Sequence, residues 1–262
     1  MKIYFAGAES GLKDLKANGV SRLLITMASG ERHFPKARTE IPACDLLIDS
    51  GAFTFQTKGD MLLSDWIAMA HRVKPFGNEI IALDVIGDPK KTYENFQEII
   101  KEIPDAIPTF HITAPIEYLH KYLKYTDRIA IGQMVPFTKR QNLLRSMLCK
   151  IFSNLDMKDP PRLHAFGVCS NLLKDFPFYS ADATSWLAAA RFRSVSFFEN
   201  GKIFQRDSLA KPGSRLKNLS LKTVDLSDIG TSELYRRSIK AVMEFEKYLT
   251  RLWTKRGITW TD

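Results

Sequence analysis

Residues 46–53 read Leu-Leu-Ile-Asp-Ser-Gly-Ala-Phe, so a short apolar run ends on an aspartate and is followed by a turn. Residues 80–84 and 178–182 have the same form and also end on an aspartate. Short apolar runs between turn signals are typical of buried parallel strands. A carboxylate is costly inside such a strand, but parallel α/β folds collect their chemistry at the carboxyl ends of strands. The three runs therefore predict one acidic site, formed by Asp49, Asp84 and Asp182.

Strand-like runs recur at regular spacing along most of the chain. They lie near residues 2–7, 22–27, 45–49, 79–84, 106–111, 128–132, 162–167 and 178–182. Helical patterns separate most of them and begin near Asp88, Ile116 and Thr138. Eight such units predict an α/β fold of the (β/α)₈ TIM-barrel type. An open doubly wound sheet is the alternative, which is disfavoured because no GxGxxG motif follows the first strand.

The pattern changes after about residue 194. Residues 196–204 contain Asn200-Gly201, the signature of a tight β-hairpin, and residues 205–230 form an irregular basic segment. A long amphipathic helix is predicted from Ser232 to about Lys255, capped by Thr231 or Ser232. We therefore expect a barrel domain over residues 1–194 and a basic extension over residues 195–262 that packs on it.

The composition is that of a cytoplasmic protein. Of the 262 residues 45% are hydrophobic, which suffices for one large core. The mean hydropathy is −0.18, and no apolar stretch approaches the roughly 20 residues of a membrane span. The amino terminus carries no signal-peptide pattern. The three cysteines, Cys44, Cys149 and Cys169, form neither a CxxC pair nor a zinc spacing, so we expect no metal and no cofactor.

Most of the excess positive charge lies in the last quarter of the chain. Residues 191–262 contribute +7 of the formal net charge of +9. A basic extension on a nearly neutral body favours a polyanionic partner, most often nucleic acid, over a merely solvated helix. The candidate phosphate contacts are Arg191, Arg193, Lys202, Arg206, Lys211, Arg215 and Lys217.

Carboxylates that flank a glycosidic carbon can divide the work of substitution at that carbon. One attacks the carbon as a nucleophile, and another exchanges protons with the leaving or entering group. A third can hydrogen-bond the polar edge of a base. The plainer alternative for each aspartate is a helix N-cap, since the tip of a strand also begins the loop to a helix. A metal site is disfavoured because the carboxylates have no HxxE or HxH companion.

Five short segments occur in order between residues 46 and 186. They are Asp49-Ser50-Gly51-Ala52-Phe53, Ile81-Ala82-Leu83-Asp84, Arg128-Ile129-Ala130-Ile131-Gly132-Gln133, Leu163-His164-Ala165-Phe166-Gly167-Val168 and Phe178-Tyr179-Ser180-Ala181-Asp182. In this order they resemble the tRNA-guanine transglycosylases, also called queuine tRNA-ribosyltransferases. The first resembles that family's Asp-Ser-Gly-Gly-Phe motif, and the fourth its His-x-x-Gly-Val strand. The resemblance covers about half of the chain.

The resemblance implies base exchange on nucleic acid. It makes Asp182 the nucleophile that holds the sugar covalently and Asp49 the general acid and base, while Asp84 binds the purine edge. It places further base-pocket residues at Ser50, Gly51, Phe53, Gly132, Gln133 and His164. Phe53 would cover the base by stacking, or would only pack at the barrel mouth. His111 and His164 could orient an aspartate or bind a phosphate, or be ordinary core histidines.

The chain also departs from the family pattern. Ala52 replaces the second glycine of the first motif, and Ala183 to Trp186 replace the usual Pro-Thr-Arg stretch. No histidine follows His164, so the family's zinc subdomain is absent. The base-pocket motifs are retained, whereas the zinc subdomain that would bind tRNA is replaced by a basic hairpin and helix. This difference favours another polymer, namely DNA, as in the DpdA-type DNA transglycosylases. We therefore expect DNA and a 7-deazaguanine base as partners, with accessory proteins that open the duplex. The alternatives are tRNA as the substrate and an inactive barrel that binds nucleic acid.

Overall fold

A curled, eight-stranded sheet forms the centre of the computed structural model, which describes residues 1–59, 61–188, 194–207 and 230–260. The strands are β1 Lys2–Ala6, β2 Arg22–Thr26, β3 Asp45–Asp49, β4 Glu79–Ile80, β5 Thr109–His111, β6 Arg128–Gly132, β7 Arg162–Ala165 and β8 Ser180–Ala183. They run in the order β4-β3-β2-β1-β8-β7-β6-β5, and every neighbouring pair is parallel. The expected α/β fold with a parallel sheet is confirmed, and its architecture is compatible with a TIM-like barrel.

Helices connect most of the strands. They are α1 Leu12–Ala17, α2 His33–Glu40, α3 Ala52–Lys58, α4 Leu63–Val73, α5 Pro89–Glu102, α6 Ile116–Leu123 and α7 Gln141–Phe152. The predicted start of α5 is confirmed, because the Asp88 side chain accepts a hydrogen bond from the Lys91 amide at 2.9 Å. Short 3₁₀ helices, Asn171–Lys174 and Ser185–Leu187, follow β7 and β8. The carboxyl-terminal part of the chain contacts both of these short helices.

Side chains of the strands alternate between two separate apolar clusters. The outer cluster contains Ile3, Phe5, Leu23, Ile25, Leu46 and Ile48 together with the buried faces of the helices. The inner cluster contains Tyr4, Ala6, Leu24, Leu47, Ile81, Ile107 and Ala130, with Phe166 packed against it. Successive residues of a strand point to opposite faces, so each strand supplies both clusters. The inner cluster joins strands that are far apart in the sheet order, which requires the sheet to curl.

The two ends of the strand order also meet. An isolated parallel bridge joins Ile81, just after β4, to Ile107, just before β5. It is formed by the Ile107 amide donating to the Ile80 carbonyl and the Ala82 amide donating to the Ile107 carbonyl, each at 2.8 Å. Strand β4 is shorter than the predicted run 79–84 because the chain leaves the ladder after this bridge.

A β-hairpin follows the parallel sheet, as its Asn-Gly signature predicts. Strands β9 Ser194–Glu199 and β10 Lys202–Asp207 pair antiparallel. Asn200 and Gly201 have φ angles of 50° and 71°, which suit the tight turn between strands of a right-twisted hairpin. The Asn171 side chain holds the hairpin by bonding both the amide and the carbonyl of Ile203, at 3.1 and 2.8 Å.

The last helix, α8 Thr231–Lys255, packs its apolar side into the outer cluster. Phe245 and Leu249 are fully buried there, and the indole of Trp253 donates to the Leu173 carbonyl at 3.0 Å. The predicted cap on Thr231 or Ser232 is wrong. The residue before the helix is Gly230, and no side-chain hydrogen bond caps this end.

Glu246 ties helix α8 to the start of the sheet. One of its oxygens accepts the Ile3 amide hydrogen at 3.0 Å, and the other lies 2.7 Å from the Arg22 guanidinium. Strand β2 begins too late to pair with that amide, since the β1–β2 register starts at Phe5. The carboxylate therefore replaces a missing ladder bond, although burial raises the pKa of this carboxyl group.

Replacing Glu246 should lower stability in proportion to the hydrogen bonds that are lost. Glu246→Ala leaves the Ile3 amide without its acceptor, and we expect the free energy of unfolding to fall by about 2–3 kcal/mol. Glu246→Gln keeps an acceptor for that amide and should cost about 1 kcal/mol or less. The control Glu244→Ala, on the same helix, should stay within about 0.5 kcal/mol. Urea unfolding checks the order, and equal losses for Ala and Gln at position 246 would contradict it.

Candidate active site at the carboxyl edge of the sheet

The structure brings the three aspartates to the carboxyl edge of the parallel strands. We call this edge the mouth. Asp49 is the last residue of β3, and Asp84 lies beyond the end of β4. Asp182 lies one residue before the end of β8 and is 4% exposed. The prediction that it ends its strand is wrong by one residue, because Ala183 still pairs with Phe5 of β1.

None of the three aspartates caps a helix. The residue that precedes α3 is Gly51, the one that precedes α5 is Asp88, and Thr184 precedes the 3₁₀ helix after β8. The N-cap alternative for these residues is therefore wrong. Their carboxyl groups are available for other interactions.

Asp49 has a strongly perturbed titration. Burial of its carboxyl group raises the pKa to about 7, and the neighbouring Asp84 and Asp182 act in the same direction. Hydrogen bonds from Thr26 and from the Gly51 backbone oppose the rise without cancelling it. The carboxyl groups of Asp84 and Asp182 therefore lie near enough to Asp49 to act on its pKa. A carboxyl group with a pKa near 7 can both give and take a proton at physiological pH.

Both oxygens of Asp84 are held by neighbouring side chains. Nε2 of His111 bonds Oδ2 at 2.8 Å, and the Ser50 hydroxyl donates to Oδ1 at 3.2 Å. His111 is only 2% exposed, and the Trp66 indole fixes the loop by donating to the Ser50 carbonyl at 3.0 Å. Of the roles left open for His111, the structure matches that of orienting an aspartate.

Asp182 is held through one oxygen. The Gly167 amide donates to Oδ1 at 2.7 Å, and Nε2 of His164 lies 3.4 Å from the same oxygen. Among the described residues, no donor bonds Oδ2 of this carboxylate. Within this part of the chain, the two contacts of Asp182 thus fall on the same oxygen.

Two glycines allow close approaches beside the aspartates. Gly51 has a φ of 80°, and a Cβ there would come within 2.9 Å of the Ala28 amide nitrogen. A Cβ at Gly132 would lie 2.9 Å from a methyl carbon of Thr109 and 3.1 Å from the His111 ring. Neither position accepts a larger side chain without displacing its neighbours.

Gln133 and Phe53 lie at the mouth as well. Gln133 has a φ of 60°, which is rare for a residue other than glycine, and its Oε1 accepts from the Thr113 hydroxyl at 2.6 Å. Backbone strain of this kind is concentrated at functional sites. Phe53 begins the first turn of α3 and is 72% exposed, so its ring is free to cover a ligand.

The candidate phosphate contacts fall mainly outside the described part of the chain. Lys202 is exposed at the start of β10, and Arg206 lies in the same strand with its side chain outside the description. The remaining candidates also lie outside it, namely Arg191, Arg193, Lys211, Arg215 and Lys217.

Several residues at the mouth were not predicted from the sequence. Thr26 bonds Asp49, Thr113 bonds Gln133, and Ser180 bonds His164. The alternation of strand side chains could have found Ser180, because it stands two residues before Asp182 on the same face of β8. Thr113 offered no such signal, since it lies in a loop.

The fold and the site define a class, a TIM-like α/β protein with three aspartates at the carboxyl edge of its sheet. Within the described residues, no three His, Cys, Asp or Glu side chains group in a way that could hold a metal ion. No helix in the described part is long and apolar enough to cross a membrane. A scan against protein-family models and a search of curated proteins gave no match to the chain. Function is therefore argued from the site itself.

The raised pKa of Asp49 predicts a pH-dependent stability. The folded state keeps a proton on this carboxyl group up to about pH 7, whereas the unfolded chain loses it near 3.8. The contribution of this proton to stability is therefore complete below pH 3.8, shrinks between pH 3.8 and about 7, and is gone above about pH 7. Above that pH the folded protein contains a buried, repelled charge.

Asp49→Asn removes this charge, so the stability that the substitution adds should increase with pH. We expect a higher free energy of unfolding by on the order of 2 kcal/mol at pH 8 and little gain at pH 4. Urea unfolding at pH 4, 6 and 8 measures the difference. The exposed Asp159→Asn is the control and should shift equally at all three pH values. A gain from Asp49→Asn that does not change with pH would refute the assignment.

Proposed function

We propose that this protein is a DNA guanine transglycosylase. It exchanges guanine in DNA for a 7-deazaguanine base, such as 7-cyano-7-deazaguanine, through a covalent aspartyl-glycosyl intermediate. The observation that carries the proposal is the carboxyl group of Asp49, whose pKa of about 7 arises from burial and from the carboxyl groups of Asp84 and Asp182. Perturbed titrations of this kind mark sites of acid–base chemistry.

The proposal includes a closed (β/α)₈ barrel. The bridge between Ile81 and Ile107 supports closure, because it links the two ends of the strand order. The inner apolar cluster supports it as well, because it collects side chains from β1, β2, β3 and β6. In such a barrel the catalytic residues lie at the carboxyl ends of several strands, as these aspartates do.

The reaction has two displacement steps. In the first, Oδ2 of Asp182 forms a bond to C1′ of the sugar while the C1′–N9 bond to guanine breaks, and Asp49 gives the departing base a proton. In the second, the incoming base attacks C1′, Asp49 removes its proton, and the bond to Asp182 breaks. Asp49 thus returns to its starting state, which requires a pKa near the working pH.

Asp84 suits recognition of the base. A carboxylate has about four acceptor positions, and His111 and Ser50 each occupy one. The remaining positions can accept hydrogens from the N1 and amino groups of guanine or a 7-deazaguanine. Gly132 ends β6 opposite His111, Gln133 follows it, and Phe53 can stack over the base. The site therefore offers acceptors to the donor edge of a purine.

DNA is the preferred polymer because the chain lacks the zinc ligands of the tRNA enzymes that it resembles and has a basic carboxyl-terminal quarter instead. A guanine in a duplex cannot reach a pocket at the mouth, so it must be flipped out or single-stranded. Accessory proteins that open the duplex belong to the proposal for this reason. A cytoplasmic location fits the three cysteines, which are free thiols.

Exchange of radiolabelled guanine into DNA and into tRNA, run side by side, tests the proposal. Incorporation into DNA supports it, and incorporation into tRNA alone would establish the RNA enzyme instead. Nucleic-acid binding without exchange into either polymer would leave an inactive binding barrel. Single-stranded and duplex DNA should be compared, because opening of the duplex is required.

Asp182→Asn should abolish exchange, because an amide cannot form the glycosyl ester. We expect a fall of at least about 1,000-fold in rate and loss of the covalent adduct on denaturing gels. The circular-dichroism spectrum should be unchanged. Asp159→Asn serves as the exposed control and should retain wild-type exchange. Full activity of the Asp182 variant would end its assignment as the nucleophile.

Removing two basic residues of the extension should weaken DNA binding and flatten its salt dependence. Each phosphate contact contributes a slope of about −0.9 to the logarithm of the affinity against the logarithm of salt. Arg215→Ala with Lys217→Ala should therefore reduce the slope by about 1.8 for duplex DNA. Lys150→Ala with Lys158→Ala is the matched control. An unchanged slope in the first pair would mean that these residues are only solvated.

A further inference from the structure

Ser180 and His164 form a buried polar chain that ends on Asp182. Strands β7 and β8 pair with His164 opposite Ser180. Ser180 and Asp182 stand two residues apart on β8, so their side chains point to the same face. Ser180 and His164 have no exposed surface, and Asp182 is 4% exposed. Polar groups this deeply buried are costly unless they bond one another.

The contacts show which of these three side chains donates a hydrogen bond and which accepts it. Nδ1 of His164 lies 2.9 Å from the Ser180 hydroxyl oxygen, and Nε2 lies 3.4 Å from Oδ1 of Asp182. Burial lowers the pKa of His164, so the ring is neutral and has one N–H. A proton on Nε2 faces the carboxylate, and the Ser180 hydroxyl then donates to Nδ1. The other tautomer would place a lone pair against a carboxylate oxygen, which is repulsive.

The Nε2 atom is buried without an aligned hydrogen bond. Its separation of 3.4 Å from Asp182 is longer than a good bond and is short enough to close by a small movement. Catalytic hydrogen bonds are often long in the free enzyme and tighten with substrate. The Gly167 amide already bonds the same oxygen at 2.7 Å. Two donors thus converge on Oδ1.

We propose that Ser180 and His164 are positioning residues for Asp182, holding Oδ1 so that Oδ2 is the oxygen that attacks C1′. The inference rests on the proposed function of Asp182 as the nucleophile. Ser180 acts through His164 by donating to Nδ1 and so holding the ring in place, and His164 acts through Asp182. Neither residue touches the reacting carbon.

No proton leaves His164 in this scheme. In the first step the Oδ2–C1′ bond forms, the C1′–N9 bond breaks, and the proton for guanine comes from Asp49. In the second step the carboxylate departs from C1′ and recovers its charge. Donors to Oδ1 stabilise that charge, so their loss should slow the second step more than the first. The covalent intermediate should then accumulate.

The experiment is a double-mutant cycle measured on guanine exchange into DNA. Ser180→Ala should lower kcat by about 10- to 100-fold, and the KM for DNA should fall with it because more covalent adduct accumulates at steady state. His164→Gln places an amide N–H near the Nε2 position and removes the ring nitrogen that Ser180 bonds. In that background, Ser180→Ala should change kcat by less than about twofold.

The competing explanation for a loss of activity in Ser180→Ala is that the hydroxyl only fills space in the core. The double-mutant cycle distinguishes this structural role from the positioning role. A purely structural hydroxyl would give the same loss in the wild-type background and in the His164→Gln background, which would overturn the proposal. Ser238→Ala is the matched control, because Ser238 is also fully buried but lies in α8, where it accepts the Ser196 amide at 3.1 Å. It should leave kcat unchanged.

Nitrogen-15 NMR of the His164 ring tests the geometry without any substrate. The wild type should show a proton on Nε2 and an unprotonated, hydrogen-bonded Nδ1, and Ser180→Ala should shift the Nδ1 resonance because that hydrogen bond is lost. A wild-type proton on Nδ1 would overturn the inference. Absence of exchange into both polymers would instead refute the proposed function, and the NMR result would still decide whether Ser180 fixes His164. The ring measurement also decides the matter if His164→Gln does not fold.

Discussion

The alternation of side chains along parallel strands is the constraint on which the rest of the structure depends. It sends one set of residues outward to the helices and the other into the interior of the curled sheet. The type of residue in the interior set changes from the amino end of the strands to their carboxyl end. Charged residues occupy its amino end, apolar residues such as Leu24 and Leu47 its middle, and the aspartates its carboxyl end. Buried Ser180 and His164 lie on the same side of the sheet and connect this middle part to Asp182.

The two ends use carboxylates in opposite ways. At the amino end, Arg128 grips both oxygens of Glu79 at 2.8 and 2.7 Å. Burial raises the pKa of Glu79, but Arg128 outweighs it and the pKa falls below its ordinary value. At the carboxyl end, the neighbours that raise the pKa of Asp49 are other carboxyl groups. Two partly buried carboxylates therefore differ in pKa, because one faces a guanidinium and the other faces carboxyl groups. The raised pKa falls at the end where α/β folds place their chemistry.

The sequence predicted those features that depend on local pattern. Strands β3 and β6 have the predicted bounds, since their apolar runs end at turn residues. The hairpin turn at Asn200 and Gly201 was likewise visible, since few residues adopt its positive φ angles. Contacts between distant segments were not predictable. Glu246 is 243 residues from the Ile3 amide that it binds, and no spacing rule connects them. The bond from Ser180 to His164 also depends on the β7–β8 register, which the sequence does not specify.

The acidic mouth and the basic extension have complementary consequences for a nucleic-acid substrate. Three carboxyl groups repel phosphates, so a sugar–phosphate backbone gains nothing by entering the site deeply. In the proposed reaction the same oxygens attract the donor edge of guanine, so the base alone enters the site. The proposal then requires positive charge elsewhere to hold the backbone, and most of the net positive charge lies in residues 191–262. Helix α8, within that stretch, is joined firmly to the sheet through Phe245, Leu249 and Glu246. The proposed division of labour is therefore one in which the extension binds the backbone and the acidic site selects the base.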